Sequence, residues 1–100
     1  MIELRNREQL ASAIERARRD AKSLVVRPAG ASRHYRVTNR EKRTEYTVEF
    51  FVRGGRRFGR CTCTAGANNL ACKHLAAAAA LNSYLAAQGL LNHRQQRAAA

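Results

Sequence analysis

One hundred residues suit one compact domain, and 19 Lys and Arg against 7 Asp and Glu give a net charge of +12 and a pI near 11.2. Alanine supplies 19 of the apolar residues, and Leu, Ile, Val and Phe together only another 19. Such a chain needs help from a bound metal, a disulfide or a partner to hold a core. No apolar run approaches the ~20 residues that span a bilayer, so a soluble protein is expected; the charge points to a polyanion, nucleic acid first with an acidic protein or an anionic membrane surface behind it, and of these nucleic acid or an acidic protein, not a membrane, is the expected partner.

The first predicted element is a helix over residues 8–22, where Leu10, Ile14, Ala17 and Ala21 recur at helical spacing and Arg16, Arg18, Arg19 and Asp20 occupy other faces. The run "SLVVRPAG" then reads as a strand halted by Pro28 and Gly30. Next, "HYRVTNR" and "TEYTVEFFVR" alternate with period two around the charged tip "EKR", placing Tyr35 and Val37 on one face and Tyr46, Val48, Phe50 and Val52 on one face. Gly54-Gly55 fits a two-residue hairpin turn, whose central positions both need positive φ.

That turn sets a register. Arg53 faces Arg56, Phe51 faces Phe58, Glu49 faces Arg60, Val48 faces Cys61 and Tyr46 faces Cys63. Cys61 and Cys63 therefore share the face of Val48 and Phe50. The Phe51–Phe58 pair lies on the other face, able to stack on bases but expected to pack beneath helix 8–22. "TAGANN" reads as loop, with Asn68 or Asn69 capping a helix over 70–88 whose stripe is Leu75, Ala78, Leu81 or Asn82, and Leu85, and Gly89 as its C-terminal cap. The expected class is α+β: a helix, an antiparallel sheet of three to four strands over 23–63, and a C-terminal helix. Residues 1–92 form one domain and 93–100 a flexible tail.

All three cysteines fall within twelve positions, followed by a histidine, as C-x-C-x8-C-x-H: Cys61, Cys63, Cys72 and His74. Four N and S ligands in two close pairs suit a closed tetrahedral site, and Zn2+ is the expected cofactor. The first pair ends a strand and the second opens a helix, where the dipole favours thiolate. Lys73 and Arg60 add positive charge nearby. A Cys61–Cys63 disulfide would close a strained small ring, whereas Cys63 with Cys72 stays open under oxidation. An odd cysteine count and the absence of a secretory signature at the start point to a reducing, intracellular compartment.

"RCTCTAGANNLACKHLAAAAALNSYL" resembles the SWIM zinc finger, read as C-S-C, a spacer, then C-K-H-x-x-A, with Lys73 between the last two ligands and Ala77 three residues beyond His74. The likeness covers about residues 35–85, with "TAGANN" in place of the Pro-Asp and aromatic common in the spacer. It implies a zinc-organised finger that binds DNA or protein.

Arg53, Arg56, Arg57 and Lys73 are the expected phosphate contacts, with Arg60 further down the third strand and Arg40, Lys42 and Arg43 as a second patch on a neighbouring turn. No nucleophile–base set, carboxylate pair or phosphate-binding glycine loop is present, and the glycines of "GRRFGR" are assigned to the hairpin; an enzyme is not expected. The expected function is a structural-zinc module binding nucleic acid, DNA before RNA, through its basic hairpin. A protein-interaction adaptor using the helices is the alternative.

Overall fold

The structure is a computed structural model that describes residues 1–5 and 7–89; the tail expected at 93–100 lies outside them. Its elements in chain order are β1 (Ile2–Glu3), α1 (Arg7–Arg19), β2 (Leu24–Pro28), β3 (His34–Asn39), β4 (Thr44–Arg53), β5 (Arg56–Cys61), α2 (Thr64–Ala67) and α3 (Lys73–Ala87). The class is α+β as expected. The sheet has five strands, in the order β1-β5-β4-β3-β2, every pair antiparallel. The extra strand, β1, pairs Ile2 with Gly59 and Glu3 with Phe58; two residues are too few to carry a periodic signal.

The hairpin register follows the expectation from Arg53–Arg56 to Val48–Cys61, and Gly54 and Gly55 both have positive φ, 60° and 77°. The ladder ends there. Thr62 makes the last tie, its N–H donating to the Thr47 carbonyl at 3.1 Å and its Oγ1 accepting from Thr47 N at 3.0 Å. Tyr46 and Cys63 thus lie beyond the paired register, because Cys63 turns away to start α2. At the β3–β4 turn, buried Asn39 accepts through Oδ1 from the backbone of Glu41 and Lys42, a side-chain mimic of a turn.

One sheet face is the core. Tyr35, Val37, Val48, Phe50 and Cys61 are buried against α3, which contributes Leu75, Ala76 and Ala78. Gly59 is not part of the hairpin turn; it sits in β5 so that α3 can come close. A Cβ there would lie 2.7 Å from Leu75 Cδ1 and 3.1 Å from Phe50. Two turns along α3, Asn82 accepts a 2.6 Å hydrogen bond from the Tyr35 hydroxyl.

Helix α1 packs chiefly on α3. Its contact is centred on Ala13, which is fully buried, with Leu10 and Ala17 beside it, while Ile14 is 41% exposed. The expected stripe is therefore rotated. The alanine run of α3 presents a small-residue surface, and the closest approach to it selects the smallest residue of α1. The expectation that Phe51 and Phe58 pack beneath this helix is corrected on the same ground, since α1 and α3 both lie on the other side.

The outer sheet face is polar and open. Arg27, Arg36, Glu45, Arg53, Arg56 and Arg60 are exposed on it. Across β3, β4 and β5 runs a ladder in which Glu49 takes His34 Nε2 at 2.8 Å and Arg60 Nε at 2.6 Å.

Replacing Gly59 with Ala is expected to cost about 1–3 kcal/mol, because Leu75, only 1% exposed, has no room to yield. Urea unfolding with an unchanged slope and a lower midpoint is the readout.

Candidate metal centre

Cys61 ends β5 facing the core. Two residues on, Cys63 adopts an extended conformation (φ −74°, ψ 173°) and caps α2, its Sγ accepting from Gly66 N at 3.4 Å. The turn between them closes on Gly66. A Cβ at Gly66 would stand 2.0 Å from the Cys61 carbonyl oxygen, and the obstacle is backbone that has no rotamer to change.

Cys72 repeats the device at the start of α3. Its backbone is extended (φ −124°, ψ 167°) and its Sγ accepts from Leu75 N at 3.3 Å. Each sulfur takes the place that a Ser or Asp oxygen usually holds at an N-cap, and each lies at the positive end of a helix. This corrects the expectation that Asn68 or Asn69 caps the long helix. Asn68 closes α2, Asn69 has φ 60° and receives the amino group of Met1 on its Oδ1, and α3 starts at Lys73, three residues later than expected.

Helix α1 and the turn that follows it grip the chain on both sides of Cys72. Gln9 Oε1 accepts from Ala71 N at 2.9 Å, Arg16 Nη2 donates to the Ala71 carbonyl at 3.2 Å, and Lys73 Nζ meets Asp20 Oδ2 at 2.5 Å. The hydrogen bond from Lys73 is the main cause of a lowered Asp20 pKa.

The four side chains converge. Cys61, Cys63, Cys72 and His74 are 4–7% exposed, and one ligand atom from each lies within 4.8 Å of all the others. A tetrahedron of 2.3 Å metal–sulfur bonds has edges of about 3.8 Å, so a small inward movement gives four-coordinate geometry. His74 is held by its ring contact with Tyr46, centroids 4.6 Å apart, and its buried Nδ1 has no hydrogen-bond partner among the described residues. A buried nitrogen without a partner is costly unless something binds it. The group can hold a metal ion.

The sulfurs are already polarised toward that role. A hydrogen bond from the Cys61 thiol, followed by those from His74 and the Leu75 amide, lowers the pKa of Cys72 against the opposing effect of burial. The same Cys61–Cys72 bond, then burial, raises Cys61. The shifts run in opposite directions, with the lowered thiol at the helix end, where the Leu75 amide donates to it. Lys73, expected to add positive charge nearby, is paired with Asp20, and Arg60 with Glu49 on the other face, while the Gly66 and Leu75 amides donate to the Cys63 and Cys72 sulfurs.

The expected phosphate contacts are dispersed. Arg53, Arg56 and Arg57 are exposed around the hairpin tip, but alternation puts Arg53, Arg56 and Arg60 on the outer face and Arg57 on the inner one. Arg40, Lys42 and Arg43 occupy the β3–β4 turn, at the other end of the ten-residue β4 and about 30 Å away. They are not a neighbouring patch, because an antiparallel meander sends consecutive turns to opposite ends. Arg40 also donates to the Lys22 carbonyl at 2.8 Å. Sequence reasoning missed Gly66, whose offset of three from Cys63 was the available signal. It also missed Gln9, Arg16 and Asp20, which reach the site from more than fifty residues away and leave no local signal.

Compared with known proteins, the chain matches no family model, no curated protein and no solved structure.

Two outcomes are expected. Gly66→Ala weakens Zn2+ binding by about tenfold or more, since it displaces both the Cys61 carbonyl and the amide that orients Cys63; titration against a chromophoric chelator measures it. Because Cys61 must lose the proton that the metal-free protein holds tightly, Zn2+ affinity falls by at least about tenfold per pH unit from about pH 8 to 6, following the protons released on binding.

Proposed function

We propose that Cys61, Cys63, Cys72 and His74 hold one structural Zn2+ in a SWIM-type arrangement, and that the module binds nucleic acid, DNA before RNA, through its arginine-rich hairpin tip. The convergence of four buried donors supports the zinc part. Four protein ligands leave no open position for water, which makes the ion structural and gives the protein no catalytic chemistry at this site. Structural zinc contributes about 10–16 kcal/mol in small fingers, as much as the ~5–15 kcal/mol net stability of an ordinary domain. Three buried free thiols fit a reducing, intracellular setting.

The observation that carries the nucleic-acid part is the register at the tip. Arg53 directly faces Arg56 across a two-glycine turn, with Arg57 next to it, all three exposed. Like charges opposed in this way repel, and an anion between them relieves the repulsion. The net charge of +12 supplies the long-range attraction.

A second reading rests on the apolar groove between α1 and α3. Leu10, Ile14, Ala17, Leu24, Ala77 and Ala80 line it, and Ile14 is exposed at its rim. A partner helix in that groove would make the protein an adaptor.

The zinc-loaded protein and its Arg53→Ala/Arg56→Ala/Arg57→Ala variant are compared on duplex and single-stranded DNA over a salt series. Wild-type affinity is expected to fall steeply with salt, and the variant to lose up to about 2.7 from the log–log slope on duplex, three phosphate contacts. Identical, salt-insensitive binding by both proteins, with a protein partner retained after nuclease, establishes the adaptor instead.

A further inference from the structure

The sheet face turned away from the helices holds two phenylalanines on β4 and β5, strands whose other outward residues are charged or hydroxyl-bearing. Phe51 on β4 and Phe58 on β5 are paired in register, their rings 5.7 Å apart between centres and inclined by 21°. Both are partly exposed. Arg53 and Arg60 lie over the Phe51 ring, their guanidinium carbons 5.4 and 5.0 Å from its centre. Arg56 follows on β5, with Glu3 3.9 Å from its Nε.

We propose that this face binds single-stranded DNA, with bases stacked on Phe51 and Phe58 and phosphates held by Arg53, Arg56 and Arg60; the inference rests on the nucleic-acid reading above and names the strand form. A cross-strand aromatic pair stabilises a hairpin by itself. That role does not require guanidinium groups brought onto the ring from two strands. A flat base entering between Arg53 and Phe51 keeps both stacking contacts and places its phosphate beside a cation.

Charge fits the same occupant. The chain has 16 arginines and 3 lysines, and a planar guanidinium both stacks and forks a phosphate, whereas an ammonium is a point charge. Arg53 meets Phe51 and no carboxylate among the described residues. Arg56 is held loosely at 3.9 Å, and both partners are partly exposed, so a phosphate can displace Glu3. A duplex presents only the edges of its bases, and its stacked interior is closed to a phenylalanine on a flat sheet. An unpaired strand offers each base face.

Three labelled probes of equal backbone length test this by fluorescence anisotropy at one moderate salt concentration: a dT 12-mer, a 12-residue abasic deoxyribose-phosphate strand and a 12-base-pair duplex. The zinc-loaded protein is expected to bind the dT 12-mer about tenfold or more tighter than the abasic strand, which keeps every phosphate but has no base to stack. Phe51→Leu/Phe58→Leu is expected to bring dT affinity down to the abasic level and leave abasic affinity unchanged. Equal affinity of the wild-type protein for dT and abasic strands overturns the inference while leaving nucleic-acid binding intact, and needs no variant to fold. Duplex binding as tight as dT, indifferent to the Leu substitutions, overturns it as well. Binding to none of the three removes the nucleic-acid reading and this inference with it.

Discussion

The contact between Cys61 at the end of β5 and Cys72 at the start of α3 decides where the long helix meets the sheet. Cys72 caps α3 through the Leu75 amide, so fixing its sulfur fixes the rotation of the helix. Leu75 then falls over Gly59, Ala78 follows on the buried side, and Asn82 arrives at the Tyr35 hydroxyl. These positions, 75, 78 and 82, are one helical face. Helix α1 takes its place from the result, because it packs on the alanines of α3 and, with Asp20 just past its end, ties polar groups to Ala71 and Lys73, the residues flanking Cys72. With so few large apolar residues, the chain relies on small ones that permit close approach and on polar ties at one junction.

The charges play a different part. Glu3, Glu15, Asp20, Glu45 and Glu49 all stand in ion pairs, and Asp20 alone belongs to the junction beside Cys72. The others are surface pairs, each worth about 0–1 kcal/mol, too little to hold a fold together. What they do is aim arginines: Glu49 holds Arg60 beside Phe51, and Glu3 stands next to Arg56.

Much of this was legible in residue order. Alternation in "HYRVTNR" and "TEYTVEFFVR" marks β3 and β4, and the glycine pair sets a register that holds for six cross-strand pairs, because a two-residue turn leaves no slack. The convergence of Cys61, Cys63, Cys72 and His74 is expected from spacing alone. What was hidden was long-range or too short to have a period. The face of α1 was misread because Leu10 and Ile14 outrank Ala13 in hydrophobicity, whereas the close fit to α3 rewards small size. Helix α2 is four residues long, and its signal, a cysteine with glycine three residues later, looks like an ordinary loop until the sulfur is seen to accept the glycine amide. The grip of α1 on Ala71 depends on folding itself, so no local pattern could announce it.

Strand β5 joins the cysteine–histidine cluster to the arginine-bearing outer face and also keeps them apart. Arg60 and Cys61 are adjacent, yet alternation turns one to the outer face, against Phe51 and Glu49, and the other inward to Cys72 and α3. The hairpin tip lies five residues further along, about 17 Å from Cys61. A metal held at the inner end would set the position of the strand without touching the outer face, and its influence there would pass through backbone rigidity, since the hydrogen-bonded ladder from Val48–Cys61 to Arg53–Arg56 is continuous between them. The tip and outer-face arginines are therefore free of any duty to the core, and the core needs none of their charge.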